Sequence, residues 1–341
     1  MKENDTGGPH VPRGRGRAVA DTEGGAEGRP RADTKGSPKS SAKGSTKGSA
    51  EHNAAAYAFL TPWLIGMLVF TIGPMLFSLY LAFTRYDLAD PPEWIGLENF
   101  RRMFTTDPRF LTSVDVTLTY VLWSVPLLLV VSLALAMVLN RGLRFLSGYR
   151  ALFYMPSLIG GSVAVAALWR QIFGEEGIVN KALAFVGIDH GSWVGDPASA
   201  LYTIVVLQVW TFGSAMVIFL AGLRQIPREL YDAAAVDGAS AWRRLRSVTL
   251  PMLSPLVFFN LLLGVVNAFQ AFTGAYVVSN GTGGPADSTL FYTLYLYEQG
   301  FAQLNMGYAA AMAWVLVLGL AVFTGLLFLS SRYWVHYGDE R

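Results

Sequence analysis

Residues 224–251 read RQIPRELYDAAAVDGASAWRRLRSVTLP, a small-residue, charged segment held between two long apolar runs. An apolar run long enough to cross a bilayer places a chain in a membrane and says no more. A loop of alanine, glycine and charge between two such runs points further, to a docking surface for a soluble partner. Pro227 and Glu229 suit the first turn of a helix, where a missing N–H does no harm and negative charge meets the dipole. Leu230, Ala233, Ala234 and Val236 give that helix a slim, smooth face. Asp237-Gly238 then signals a turn. A second short helix is expected over residues 239–248, with Trp242, Leu245 and Val248 on one side and Arg243, Arg244 and Arg246 mostly on the other. Pro251 marks the return towards the membrane. Physics alone leaves two readings open, a docking surface and an ordinary amphipathic connector.

Composition supports the membrane setting. Of 341 residues, 52% are hydrophobic and 15% charged, with a mean hydropathy of +0.38, as in a polytopic membrane protein rather than a soluble domain. There is no cysteine, which excludes disulfides and thiolate metal sites. The four histidines (His10, His52, His190, His336) are too scattered for a metal cluster, so no metal site is expected. Residues 1–53 hold ten of the 26 Lys and Arg, in Gly-, Ser- and Pro-rich sequence with KGS repeated at Lys35, Lys43 and Lys47. Such a stretch buries too little apolar surface to offset chain entropy, so a disordered basic cytoplasmic tail is expected there. It reads as solvated, with contact to anionic lipid or nucleic acid as the rival, and no nucleic-acid partner is expected. It lacks the apolar core of a signal peptide.

Residues 54–341 form the membrane domain. Six apolar runs, near 59–83, 117–139, 151–172, 200–223, 255–276 and 308–329, each match the length a helix needs to cross about 30 Å of hydrocarbon. None alternates like a membrane β-barrel, so the backbone must be satisfied as helices. The fold class expected is an all-α polytopic membrane protein of six transmembrane helices, with the 224–251 loop between the fourth and fifth. Loop charge sets the orientation. Arg141, Arg144, Arg150, Arg224, Arg228, Arg243, Arg244, Arg246, Arg332 and the basic tail fall on one side. The opposite loops carry Arg85, Arg101, Arg102 and Arg109 in the first outer loop and Lys181 in the second, diluted by acids, and residues 277–305 carry no Lys or Arg. Positive charge stays cytoplasmic, which puts both termini and the 224–251 loop inside.

Asp232-Ala233-Ala234-Ala235-Val236-Asp237-Gly238-Ala239, followed by Leu245, Val248, Leu250 and Pro251, resembles the EAA signature of ABC-importer permeases, including its internal spacing. Asp232 stands where Glu is usual and Leu245 where Phe is usual. The resemblance spans residues 57–335 and points to the carbohydrate-uptake branch, the maltose and glycerol-phosphate type. Ile95-Gly96-Leu97-Glu98-Asn99-Phe100, the series Pro156, Trp169, Phe173, Gly177 and Asn180, and Gly283-Gly284-Pro285, Thr289, Phe301 and Gly307-Tyr308-Ala309 fall in the family's order. The resemblance implies a multi-pass cell-membrane subunit working with a P-loop ATPase dimer, a second permease and an extracytoplasmic solute-binding protein. Asp232, Ala233, Ala234, Asp237, Gly238, Ala239, Leu245 and Pro251 would form the ATPase-docking loop. This chain has no GxxxxGK[ST] phosphate loop. It is therefore not expected to be an enzyme or to need a cofactor, ATP and Mg being bound by the partner.

A substrate path should show as polar groups inside apolar spans. Gln208, Thr211 and Phe212 mark one face of the fourth span, and Asn260, Gly264, Asn267 and Gln270 recur as one stripe of the fifth. Amides donate and accept hydrogen bonds, which suits sugar hydroxyls; the same amides could instead bond between helices. No Lys or Arg lies within the fourth, fifth or sixth span, so a neutral sugar or oligosaccharide is expected over glycerol phosphate. The rival class is an ion-driven secondary carrier, for which Asp115, near a span edge, is the one candidate ionisable group.

Overall fold

The computed structural model describes residue 57 and residues 59–141, 146–188 and 191–336, so the tail expected over residues 1–53 lies outside the described residues. The chain divides into two units, Met1–Pro62 and Trp63–Arg341; in the first, residue 57 and residues 59–62 are helical. In chain order the structure runs α1 (Phe59–Ala82), β1 (Thr84–Arg85) paired with β2 (Glu93–Trp94), α2 (Glu98–Thr105), α3 (Pro108–Leu139), α4 (Leu146–Ile159), α5 (Val163–Ile172) and α6 (Ile178–Ala184). It continues with α7 (Ala200–Trp210), α8 (Gly213–Gln225), α9 (Arg228–Val236), α10 (Ala241–Phe269), α11 (Thr273–Val278), α12 (Tyr292–Tyr297) and α13 (Met306–Trp334).

Among the described residues, α1, α3, α10 and α13 are each long and apolar enough to cross a membrane alone. The third and fourth expected runs are bent pairs: α4 meets α5 at 98° and α7 meets α8 at 45°. Counting each pair as one span gives six. The β1–β2 ladder is an addition to the all-helical expectation. Asp87 accepts from the Ala89 and Asp90 N–H groups at 3.2 Å each, turning the chain back so that Thr84 pairs with Trp94.

Side chains explain where the helices start. Asp107 caps α3 by accepting from the Phe110 N–H at 3.1 Å, with Pro108 in the first turn. Ser162 caps α5 and Ser240 caps α10, at 3.3 and 3.4 Å. Wide π-turns at Leu68–Ile72 and Leu245–Thr249 each end two residues before a proline, Pro74 and Pro251. Proline lacks the N–H that a continuing α-ladder needs, and the wide turn absorbs the mismatch without a break. The second short helix expected over residues 239–248 is therefore the head of α10 itself.

Two apolar clusters hold the bundle. One gathers Tyr120, Phe291, Leu294 and Met312; the other gathers Met216, Phe219, Leu220, Leu139 and Leu253 beneath the 224–251 segment. In hydrocarbon, lipid competes with protein for apolar side chains, so association depends on close packing over small residues. A Cβ at Gly222 would lie 2.2 Å from Leu256 Cδ1, and one at Gly213 would lie 2.5 Å from the Phe153 carbonyl oxygen. Backbone thus excludes alanine-sized bulk where α8 crosses α4, and where it crosses α10 the Leu256 and Leu253 side-chain ends would have to shift to admit it.

Candidate functional site

Three helix breaks converge on one cavity of about 510 Å³. Gly160, Gly161 and Ser162 separate α4 from α5, Thr211 and Phe212 separate α7 from α8, and Gln270, Ala271 and Phe272 separate α10 from α11. Irregular backbone at membrane depth is tolerated where it lines a cavity or finds partners in protein. Both conditions are met. Ser132 donates to the Phe212 carbonyl at 3.1 Å, and Thr293 donates to the Ala271 carbonyl. The tight crossing at Gly160, where a Cβ would lie 2.3 Å from Thr211 Cγ2, brings the first two breaks together.

The lining is polar yet uncharged. Ser157, Ser162, Gln208, Thr211, Asn267 and Gln270 contribute hydroxyls and amides, and among the described residues no Lys, Arg, Asp or Glu lines the cavity. The Tyr120 hydroxyl donates to Gln208 Oε1 at 3.4 Å, leaving the Gln208 NH₂ as donor. Among the described residues no side-chain hydrogen bond involves Asn267 or Gln270, and both are exposed to the cavity.

Of the substrate-path residues read from the sequence, the structure brings Gln208, Asn267 and Gln270 to this cavity. Phe212 sits at the second break, where its ring packs 6.0 Å from Phe153 rather than lining the cavity. Asn260 is buried and bonds within its own helix, to the Leu256 carbonyl at 2.8 Å. Gly264 packs against Val125 of α3, 3.0 Å from where its Cβ would stand. The stripe therefore divides within α10: Asn260 and Gly264, nearer its start, are buried in protein, whereas Asn267 and, just past the helix end at Phe269, Gln270 meet the cavity. Ser132 and Thr293 went unread in the sequence, since a lone hydroxyl in an apolar run usually bonds its own helix.

The 224–251 segment forms a separate exposed surface. α9 ends in a Schellman turn: the Ala239 N–H bonds the Ala234 carbonyl at 2.9 Å and the Gly238 N–H bonds the Ala235 carbonyl at 3.0 Å. Gly238 supplies the left-handed residue, with φ of +68°. Asp232, Ala233, Asp237 and Gly238 are exposed; Ala234, Ala239, Leu245 and Pro251 are half-buried. Val236 and Trp242 stand 88% and 69% exposed, apolar groups with no cover among the described residues. Tyr231 anchors the segment, its hydroxyl 3.0 Å from Thr249 Oγ1 and its ring against the second apolar cluster.

At the other end of the bundle lies an ionic cluster. Asp107 accepts from the Tyr295 and Tyr308 hydroxyls at 2.6 Å each. Burial pushes its carboxyl up, but the Tyr295, Tyr308 and Phe110 hydrogen bonds and the Arg102 charge outweigh that and hold it below its ordinary value. Trp169 Nε1 donates to the Thr203 carbonyl at 2.9 Å, while Asn180 accepts from Trp193 Nε1 at 2.6 Å, so these motif residues knit the loop after α5. Arg170 is tied to the Asn280 side chain. Asp115 does not line the cavity.

Residues 107–335 match the family described as binding-protein-dependent transport system inner membrane component. The chain is 51% identical over 291 residues (85% of this chain, 94% of the relative) to the probable ABC transporter permease protein YesP of Bacillus subtilis. It is 32% identical over 274 residues (79% and 86%) to the arabinooligosaccharides transport system permease protein AraP of the same organism. Its fold is similar to a chain of a bacterial alginate ABC transporter solved in complex with an alginate pentasaccharide-bound periplasmic protein. That match has a TM-score of 0.70 and 21% identity, covering 86% of this chain and 99% of that one.

Proposed function

Because this chain belongs to the family of binding-protein-dependent transport inner membrane components, a transport subunit rather than an enzyme, we propose that it carries a neutral sugar or oligosaccharide through the cavity between its three broken helices. The observation that carries this reading is the lining itself. It has amides and hydroxyls from several helices and, among the described residues, no charged group. Amide and hydroxyl pairs match carbohydrate hydroxyls, whereas an anionic solute favours an Arg or Lys within reach. The arabinooligosaccharide relative supports the same substrate class.

Six spans, both termini cytoplasmic and the 224–251 loop cytoplasmic complete the proposal. Three of the four arginines on the first outer loop are paired, Arg85 with Glu93, Arg101 with Glu98 and Arg109 with Asp287 and Glu298, while the 224–251 arginines have no ion pair among the described residues. What supports the orientation is the count of cations, five arginines in the 224–251 loop against no Lys or Arg in residues 277–305. The exposed Schellman elbow at Gly238, flanked by uncovered Val236 and Trp242, fits a cleft on a P-loop ATPase. A second permease and an extracytoplasmic binding protein complete the assembly. ATP-driven closure then biases one conformational equilibrium that the substrate also biases. The shorter Asp232, where a glutamate is usual, reaches less far into the ATPase.

Affinity purification of this chain from its native membrane in mild detergent tests the assembly. A P-loop ATPase and a second permease are expected to co-purify. Recovery of the chain alone, from a preparation that keeps other complexes intact, would return the ion-driven carrier to first place.

A further inference from the structure

A second cavity, of about 270 Å³, lies where the head of α10 meets the end of α13. Leu250, Ser254 and Val257 recur at i, i+4 and i+7, so one stripe of α10 forms a wall. Ser254 latches the chain end against it, its Oγ accepting from the His336 N–H at 2.8 Å and donating to the Pro251 carbonyl at 2.7 Å. Trp334 closes the opposite side, packed edge-on against Phe258 with ring centres 6.0 Å apart.

The chemistry of the lining is graded. Arg246 and His336 sit at one end, no acidic residue among the described ones lines the cavity, and Leu250, Val257 and the Trp334 ring supply apolar surface. Beyond the cavity the same two helices present uncovered apolar side chains, Met252 and Phe259 on α10 and Phe328, Leu329 and Tyr333 on α13. A cationic mouth, an indole at the boundary and an apolar wall continuing into an apolar exterior match the parts of an amphiphile. A carboxylate side chain from a soluble protein would satisfy the cation and leave the wall unused.

We propose that this cavity binds one anionic phospholipid of the cytoplasmic leaflet, its phosphate at Arg246 and His336 and its acyl region along Leu250 and Val257. The proposal rests on the orientation given above, with the 224–251 loop inside. It gives the lipid a role, because the cavity straddles the π-turn that joins the loop to the α10 span. A bound lipid stiffens that joint and so tightens the link between loop and span.

The test uses the assembled transporter in nanodiscs of mixed phosphatidylglycerol and phosphatidylcholine, released and read by native mass spectrometry. The wild type is expected to retain one phosphatidylglycerol in preference to phosphatidylcholine. Arg246→Gln should lower that retention by about fivefold, the worth of one interfacial cation, and Arg246→Gln with His336→Gln further. Arg243→Gln, which removes a loop arginine that does not line the cavity, should leave it unchanged. Equal retention of both lipids, or retention unaffected by the double substitution, overturns the proposal. Loss of the co-purifying ATPase with lipid retention unchanged also overturns it, and assigns Arg246 and His336 to a protein contact. Orientation is read separately. The chain has no cysteine, so Ser240→Cys gives it a single thiol, and labelling from outside intact cells would refute the orientation without reference to lipid.

Discussion

Arg109 grips the Asp287 carboxylate with two parallel hydrogen bonds of 3.0 Å, from Nε and Nη2, across 178 positions of sequence. Glu298 takes a third bond at 2.7 Å. The fork joins the head of α3 to the turn before α12. Ala286 and Asp287 adopt left-handed φ values of +52° and +58° to reach it, a conformation that costs a non-glycine residue about 1–2 kcal/mol. Arg109→Ala leaves two partly buried carboxylates unpaired and should destabilise the protein by about 2 kcal/mol. Arg109→Lys, with charge but no fork, should recover only part of that. Thermal unfolding of the purified complex measures both, and a wild-type Tm for Arg109→Ala would contradict the role given to the fork.

Asp107 makes the same end of the protein acid-sensitive. Its folded carboxyl titrates below the ordinary value of 3.8. The unfolded chain therefore takes up its proton first as pH falls. The stabilisation is fully present above about pH 4 and is lost as pH drops through the folded value. Tyr295→Phe with Tyr308→Phe removes both hydroxyl donors and lets burial raise the carboxyl towards its unfolded value, so the variant should be less stable at neutral pH and should lose less of its stability on acidification. Unfolding temperature against pH, wild type beside the double variant, reads the shift; superimposable curves would refute it.

Gly213 tests the helix crossing beside the cavity. An added Cβ there meets the Phe153 carbonyl oxygen at 2.5 Å and Tyr154 Cα at 2.8 Å. Those neighbours are backbone, so α4 must move away from α8. Gly213→Ala should lose about 1–3 kcal/mol of stability and slow transport, whereas Gly319→Ala, with nothing within 4 Å, should do neither. Similar melting of the two variants would mean the crossing is looser than described.

The Gly238 elbow separates docking from folding. Gly238→Val meets no neighbour within 4 Å but must hold φ near +68°, at about 1–2 kcal/mol. The variant should still insert and reach the membrane, while co-purification of the ATPase falls. An undiminished ATPase yield would sink the docking assignment.

Much of this architecture could be read from residue patterns, for physical reasons that also mark the limits. Run length and polarity locate α1, α3, α10 and α13, and Asp237-Gly238 announces its turn because only a left-handed residue closes α9. Hydropathy does not register a bend. Residues 151–172 read as one span although Gly160 and Gly161 turn the chain through 98°. Residues 255–276 read as one helix although α10 ends at Phe269, and polarity alone does not tell the buried Asn260 from Asn267, which meets the cavity. The partnership of Thr293 with the Ala271 carbonyl, 22 residues away, depends on how α12 packs, which no local pattern encodes.

The cavity as substrate path is tested most directly by cysteine accessibility, since an introduced thiol is the chain's only one. In the reconstituted transporter, Asn267→Cys and Gln270→Cys are labelled with a small hydrophilic thiol reagent, with and without the transported sugar. Both should react and both should be protected by the sugar, while Asn260→Cys, buried on α10, stays unlabelled. Labelling of Asn260→Cys as fast as Asn267→Cys, or no protection at either cavity position, would contradict the account.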